Sequence, residues 1–580
     1  MSNKTFKDPI YGYIRIDDDI VHHVIDTATF QRLRNIRQTS YAPLYPGALH
    51  NRFIHSLGVY HLGQIAFNAV QQSFAEQRKV DEEVWRGVPD EWSRYRHLFE
   101  LACLLHDVGH APFSHTGEEF YLNSKSSVKI IVSDEQERKK RISEEKDINK
   151  QAALQSELDQ EKQYSIRKHL AQLTGDVVFA SSAGEKPAAH EIMSCIVALE
   201  RFHDQFQSFE ERAFFSRCIT GIQYTEALNR QDEEFAKMDV NTFNNVRNKA
   251  LLNCFIQLLH SSVIDVDRLD YIIRDSQTIG YQSVSIDYER LLTGLVLVRT
   301  GEYNFTLGFH KNAISVIENA VFAHDNEKKW VQHHPSILYE SFLLQRSIIA
   351  IEDRIRSDYA DAPSSLFSYD SLSENGSTFG TTHIRFLSDA DLIHLMKNVY
   401  RTEDTEEYFN RDTRRLPVWK SEAEFRSFLT DAERTLIADV LLKISSSKDS
   451  VEINDSLLVQ FQDEIMHPGN PAGEKFLVKR KNIVEAMLGV CEKHGIRRNL
   501  VLMSTSFFKS NFSKKDVSKI WIQFPDGKPC LLEEVSPTLS SAAPPDKPLC
   551  FIYYYPKQNR EKVDIRSFTQ DLIHALQDFS

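Results

Sequence analysis

Apolar positions recur every three or four residues through most of this 580-residue chain, the spacing that lines one face of a helix. VIDTATFQRLRNIRQ (24–38) carries Ile25, Phe30, Leu33 and Ile36 on such a stripe. HNRFIHSLGVYHLGQIAFNAV (50–70) follows the turn signal YPG, and residues 98–107 predict a helix apolar almost all round, hence buried. Helical pattern returns in HEIMSCIVALERF, in LLNCFIQLLHSSVIDVDRLDYIIRDSQ and in SILYESFLLQRSIIAIEDRI. Strand candidates are YNFTLGF, NLVLMST, KIWIQF and LCFIYYY. A closing helix, DIRSFTQDLIHALQDF, places Ile565, Phe568, Leu572, Leu576 and Phe579 on one stripe.

Two stretches break the pattern. Residues 121–186 are polar, with few large apolar side chains and no sustained heptad, which predicts an inserted exposed helix or partly disordered arm. Residues 358–382, rich in Ser, Gly, Asp and Thr, predict a linker. The expected fold is mainly α: a helical core over 1–357, then a smaller mixed α+β C-terminal region over 383–580.

Composition narrows the class without naming a function. The hydrophobic share of 41% and charged share of 26% are those of a globular protein. The longest nearly apolar runs, such as LLNCFIQLL (251–259), are too short to span a bilayer. The opening MSNKTFKDPIYGYIRI lacks the apolar core of a secretory signal, and seven scattered cysteines without a CxxC pair suit reduced thiols; a cytoplasmic location is expected. A net charge of −13 argues against an extended nucleic-acid-binding surface.

The candidate chemistry begins in LFELACLLHDVGHAPFSH (98–115), where a greasy helix ends in His106, Asp107, His110 and His115. Gly109 and Pro112 favour a stop there, so adjacent His and Asp can both turn inward. Such side chains hold divalent metals, but two neighbours need partners from elsewhere. One supplier is Arg52 and His55, which share a helix face at i and i+3. His55 is a candidate ligand and Arg52 a candidate phosphate clamp. The other is IDVDRLDYIIRDS, with Asp267, Tyr271, Arg274 and Asp275 along one polar face and Val266, Leu269 and Ile273 on its apolar neighbour. Singly, each has a plain explanation: most helical histidines are satisfied structural residues, and an Asp/Arg-rich helix is usually a solvated face. His61, six residues beyond His55 and on another face, reads as structural. The joint pattern is what carries weight.

By these residues the sequence resembles the HD-domain phosphohydrolase superfamily, and within it the deoxynucleoside triphosphate triphosphohydrolases, the branch of bacterial dNTPases and the vertebrate SAM-and-HD-domain enzyme. The motifs are DPIYGYI (8–14), FQRLRNIRQ (30–38), PGALHNRFIHSLGV (46–59), HDVGHAPFSH (106–115) and IDVDRLDY (264–271). They cover about residues 5–345, with no SAM domain preceding the HD core. The resemblance implies an HD-domain helical core with metal ligation by His55, His106, Asp107 and Asp267. It implies catalytic roles for His110, His115 and His190, with His115 protonating the leaving 5′ oxygen. Glu118 stands where the best-known members have Asp, paired with His190. Gln38, aided by Tyr271 and Asp275, matches the group that senses the sugar 3′-hydroxyl. Arg52 and Arg268, the latter commonly Lys, match triphosphate contacts.

The implied reaction converts a dNTP into a deoxynucleoside and tripolyphosphate. Mn, Fe, Co, Ni, Zn or Mg would sit at the HD site, and a further Mg²⁺ on the triphosphate. Members commonly form dimers, tetramers or hexamers, several have a nucleotide activator, and in bacteria they tune dNTP pools or act against phage. Other HD phosphohydrolases are less well matched. The HDxxED of guanosine-tetraphosphate hydrolases and the GYP of cyclic-dinucleotide phosphodiesterases are absent, and a nuclease acting on single-stranded nucleic acid is secondary given the charge. A non-catalytic nucleotide-sensing scaffold would not need both candidate acid–base histidines.

Overall fold

The computed structural model describes residues 3–80, 82, 92–123, 143, 150–152, 187–227, 232–235, 237–261, 264–280, 285–301, 304–363, 365–445, 450–466, 471–505, 520–525, 528–536, 549–557 and 563–579. The interval 121–186 lies outside these residues apart from 121–123, 143 and 150–152. The architecture is mainly α, with small sheets.

The chain divides into two compact units that interleave in sequence. The first comprises Met1–Glu327, Ile348–Tyr400 and Asn511–Ser541; the second comprises Lys328–Ser347, Arg401–Ser510 and Ala542–Ser580. This corrects the expected division at 357 and 383.

The first unit opens with an antiparallel hairpin, Asn3–Asp8 with Gly12–Asp17. The 24–38 stripe is buried at Ile25, Phe30, Leu33 and Ile36, but it is not one helix. Thr27 caps a fresh turn through its hydroxyl, and Ile36 is already extended. Four helices then frame the site: α1 (Arg52–Val80), α2 (Ser93–Leu105), α3 (Ala189–Arg201) and α4 (Val266–Ile279). Asn51 caps the start of α1, its side chain accepting from the Ile54 amide at 3.2 Å. Residues Leu98–Leu105 of α2 are all buried, as a run that is apolar everywhere but Glu100 requires, and each large apolar side chain contributes about 1.5–3 kcal/mol. Asp265 caps α4 by accepting from the Arg268 amide at 2.6 Å.

Two glycines permit close approaches. A Cβ at Gly58 of α1 would run into the Asp270 carboxylate and Arg274 guanidinium of α4. One at Gly109 would strike the α3 backbone at Met193 and Ser194. Both therefore decide how near the site's helices come.

KIWIQF, expected in the C-terminal region, supplies Trp521–Gln523 to a sheet of the first unit, pairing in parallel with Gly308–His310. The stretch 358–382 is not a linker. It folds within the first unit, with Leu366, Phe367, Tyr369, Leu372 and Phe379 buried and a short hairpin of Ser377–Phe379 with Thr382–Ile384. After it comes the short helix α5 (Asp389–His394).

In the second unit an antiparallel sheet runs in the order 416–417, 549–554, 499–505, 450–454. Its core includes Trp419, Met487, Leu488 and Tyr553, together with Phe568, Leu572 and Leu576 of the closing helix. All seven cysteines are free. Among the described residues no helix is long and apolar enough to cross a membrane.

Candidate active site

The end of α2, one face of α1 and the first turn of α4 bring four donors together. His55 Nε2 lies 3.2 Å from His106 Nε2 and 3.0 Å from Asp267 Oδ1, which is 3.5 Å from His106 Nε2. Asp107 Oδ2 completes the group at 3.6 Å from His55 Nε2 and 3.5 Å from His106 Nε2. Ligands ~2.1 Å from one ion sit roughly 3.0 Å apart at an octahedral right angle and roughly 3.4 Å apart on a tetrahedron. The separations among His55, His106 and Asp267 match those edges, so these three could hold a divalent cation, with Asp107 beside the two histidines.

The outer partners fix which nitrogen points inward. His55 Nδ1 meets Asp270 Oδ2 at 2.7 Å and His106 Nδ1 meets the Cys103 carbonyl at 2.9 Å, leaving both Nε2 atoms for the cluster. Asp270 is itself gripped by Arg274, whose Nε and Nη2 each donate to it at 2.9 Å while Nη1 donates to Asp8 at 3.0 Å. Burial alone would lower the His55 pKa, but hydrogen bonds to Asp267 and Asp270 outweigh it and push the value up to about 9. Burial raises the Asp107 carboxyl, and Arg52, His106 and His55 more than reverse this, to about 2.

A second cluster adjoins the first. His110, His115, Glu118 and His190 place one donor atom each within 4.8 Å of one another. His110 and His190 stack at 4.4 Å between ring centroids. Glu118 holds the group: Oε1 is 2.6 Å from His115 Nδ1 and Oε2 is 2.9 Å from His190 Nδ1. Burial lowers the His190 pKa, but Glu118 wins and raises it; His110 is driven well below its ordinary value by burial and then by Arg52, His190 and His115. His110 Nε2 lies 3.8 Å from Asp107 Oδ1, so the two clusters adjoin there without a hydrogen bond between them. With its Nδ1 on Glu118 and its side chain 72% exposed, His115 presents Nε2 outward.

The remaining sequence candidates fall around these clusters. Arg52 is turned onto a ligand, its Nη1 donating to Asp107 Oδ2 at 2.7 Å and its Nε to Ser114 Oγ at 3.0 Å. Asp275 is buried against His50, Oδ1 to Nε2 at 2.5 Å, and the Gln38 backbone N–H donates to the His50 carbonyl at 3.0 Å. His50 thus touches Asp275 through its ring and the Gln38 segment through its backbone. The Gln38 Oε1 atom is buried with no hydrogen-bond partner among the described residues. Arg268 and Tyr271 stand beside Asp267 on α4. His61 lies against Tyr11, ring centroids 5.3 Å apart. Sequence reading missed the roles of His50 and Asp270. The i,i+4 pair Asp270–Arg274 was the available signal, but it looks like an ordinary helix-surface ion pair.

Residues 52–181 match the HD domain family. The chain therefore carries an HD domain, and over that region it resembles the dNTPase-like branch of the HD phosphohydrolases. It is 38% identical over 132 residues to the uncharacterized protein YwfO of Bacillus subtilis, covering 22% of this chain and 27% of that one. It is 38% identical over 113 residues to the deoxynucleoside triphosphate triphosphohydrolase SAMHD1 of Homo sapiens, covering 19% and 16%. The SAMHD1 protein of Danio rerio is 36% identical over 120 residues, 20% of this chain and 17% of that one. The match thus spans less than a third of each relative. A crystal structure of a hypothetical protein from Aquifex aeolicus aligns over 99% of this chain and 100% of that one, at 18% identity and a TM-score of 0.49.

Proposed function

We propose that this protein is a metal-dependent hydrolase that converts deoxynucleoside triphosphates into deoxynucleosides and tripolyphosphate. The observation that carries this reading is the adjacency of a His55/His106/Asp267 donor group, flanked by Asp107, to a His/Glu acid–base cluster, the two approaching at Asp107 and His110. A cation held by His55, His106, Asp107 and Asp267 would supply Lewis acidity and an acidified water. The donor set suits Mn, Fe, Co, Ni or Zn as well as Mg.

Hydrolysis adds the oxygen of water to the α-phosphorus and breaks the bond to the 5′ oxygen, which needs a proton as it leaves. His115 Nε2 donates that proton, with Glu118 holding the ring at Nδ1. Arg52 and Arg268 offset triphosphate charge, with Mg²⁺ on the phosphates. Gln38, Tyr271 and Asp275 receive the sugar 3′-hydroxyl. The protein acts in the cytoplasm as a homo-oligomer, nucleotides serve as activators, and the activity sets dNTP pools or depletes them against phage.

The test is a nucleotide panel: each dNTP alone and in pairs, NTPs, and single-stranded DNA, with Mg²⁺ or Mn²⁺, products resolved by chromatography. Tripolyphosphate and deoxynucleoside are expected. Cleavage of single-stranded DNA without dNTP turnover would overturn the reading, and turnover only in nucleotide mixtures would locate an activator.

A further inference from the structure

Among the described residues, three non-glycine residues have left-handed backbone: Phe113 (φ 58°), Ser114 (φ 54°) and Phe386 (φ 52°). All three border one junction. On one side is the turn that carries His110 and His115; on the other is the segment 386–389 leading into α5. Backbone held in this region by bulky residues persists only where surrounding contacts over-determine it.

Asp389 supplies those contacts. It is buried, 4% exposed. Its Oδ1 accepts from the Phe113 amide at 2.7 Å, and its Oδ2 accepts from the Arg37 amide at 3.0 Å. One carboxylate thus binds a backbone N–H from each of two segments that flank the site. Further bonds close the junction. The Ser114 hydroxyl donates to the Arg37 carbonyl at 2.5 Å, and Arg32 donates to the carbonyls of Leu387, Val108 and His110 at 2.8, 3.0 and 2.8 Å. Next to Arg37 is Gln38, and two residues beyond Phe113 is His115.

From this geometry we infer that Asp389 is a positioning residue, setting the acid–base turn at His110–His115 against the Gln38 segment so that proton donor and sugar contact keep a fixed separation. The role rests on the hydrolase reading for its catalytic meaning and on the two amide bonds for its structural one. It demands a carboxylate, because both facing groups are donors. An asparagine offers one acceptor oxygen, and its NH₂ would meet the other N–H head on. Burial pushes the Asp389 carboxyl up to about 6 against the pull of the two amides and of Arg37 and Arg32, so it is ionised at neutral pH.

The experiment compares the full-length wild type with D389N and D389E. Metal content, kcat, KM and amide hydrogen exchange of segments 34–40 and 110–117 are measured. D389N is expected to keep its metal, to lose ~10–100-fold in kcat with KM little changed, and to exchange faster in both segments. D389E keeps both acceptor oxygens and is expected to recover part of kcat. An unchanged kcat, faster exchange in one segment only, or loss of metal in step with activity would overturn the inference. Should D389N fail to fold, D389E decides: reduced kcat with metal retained supports the role, and wild-type kcat rejects it. If the wild type hydrolyses no nucleotide, the hydrolase reading fails, and the exchange comparison alone still decides whether Asp389 joins the two segments.

Discussion

His55 and Asp270 face each other at 2.7 Å, Nδ1 to Oδ2, with both side chains fully buried. The contact selects the tautomer that turns Nε2 toward Asp267 and His106, and Arg274 in turn fixes Asp270. Asp270→Asn keeps one acceptor for His55 but presents an NH₂ to the guanidinium. Metal affinity should fall ~10–100-fold, with activity returning in part at high Mn²⁺. Competition against a chelating indicator checks this; an unchanged Kd would remove Asp270 from the metal site.

Asp107→Ala removes a proposed ligand and strips Arg52 of its 2.7 Å partner. Bound metal, counted by elemental analysis, should be lost, and turnover should fall to background. A variant that retained stoichiometric metal would show that the other three donors suffice.

His115→Ala leaves His55, His106, Asp107 and Asp267 in place. Its expected signature is a kcat lower by ~10²–10⁴-fold with metal content unchanged. Wild-type kcat in this variant would pass the proton-donor role to another group.

Asp389 gives a pH dependence of definite sign. Its folded value near 6 lies above the ~3.9 of an unfolded aspartate, so charging it opposes folding. From this group alone, stability is fully present below pH ~4 and is lost as pH rises through 6, by roughly 3 kcal/mol at most. The carboxamide of D389N cannot titrate, so the stability advantage of the wild type over that variant should narrow between pH ~4 and ~6.5. Urea midpoints measured for both proteins across that range check it; a constant gap would mean the carboxyl titrates normally.

In the second unit Arg415 is buried with Glu407, Nη1 to Oε2 at 2.5 Å, and also reaches Glu452 at 2.7 Å and the Tyr339 hydroxyl at 2.8 Å. Arg415→Ala leaves Glu407 charged and buried, at a cost of ~3–5 kcal/mol. The double change Arg415→Met with Glu407→Leu should cost less than the single one. Denaturation of the wild type and both variants decides; a double variant destabilised as much as the single one would mean the pair is not coupled.

The linker expected at 358–382 shows where composition misleads. Ser365, Ser368, Ser371 and Ser377 are buried with polar partners: Ser371 Oγ lies 2.6 Å from Ser377 Oγ and 3.1 Å from Ser368 Oγ, while Ser365 donates to Glu352 at 2.7 Å. A polar stretch with internal partners looks, residue by residue, like one that faces water. KIWIQF misled differently: its strand character was legible, but its partner, Gly308–His310, lies more than two hundred residues earlier.

By itself the sequence determined the helical character of the chain, the buried rod at 98–105, and the residue types at His55, His106, Asp107 and Asp267. Periodicity and ligand chemistry are local properties, and motif spacing carries them over separations of 51 and 160 residues. Only the tertiary structure decided that Asp270 orients His55, that His50 pairs with Asp275, and that Asp389 joins Arg37 to Phe113. Each of these is a buried polar group satisfied by a partner distant in the chain. Which partner it finds depends on how closely the helices approach, a distance set at Gly58 and Gly109 and by the packing around them.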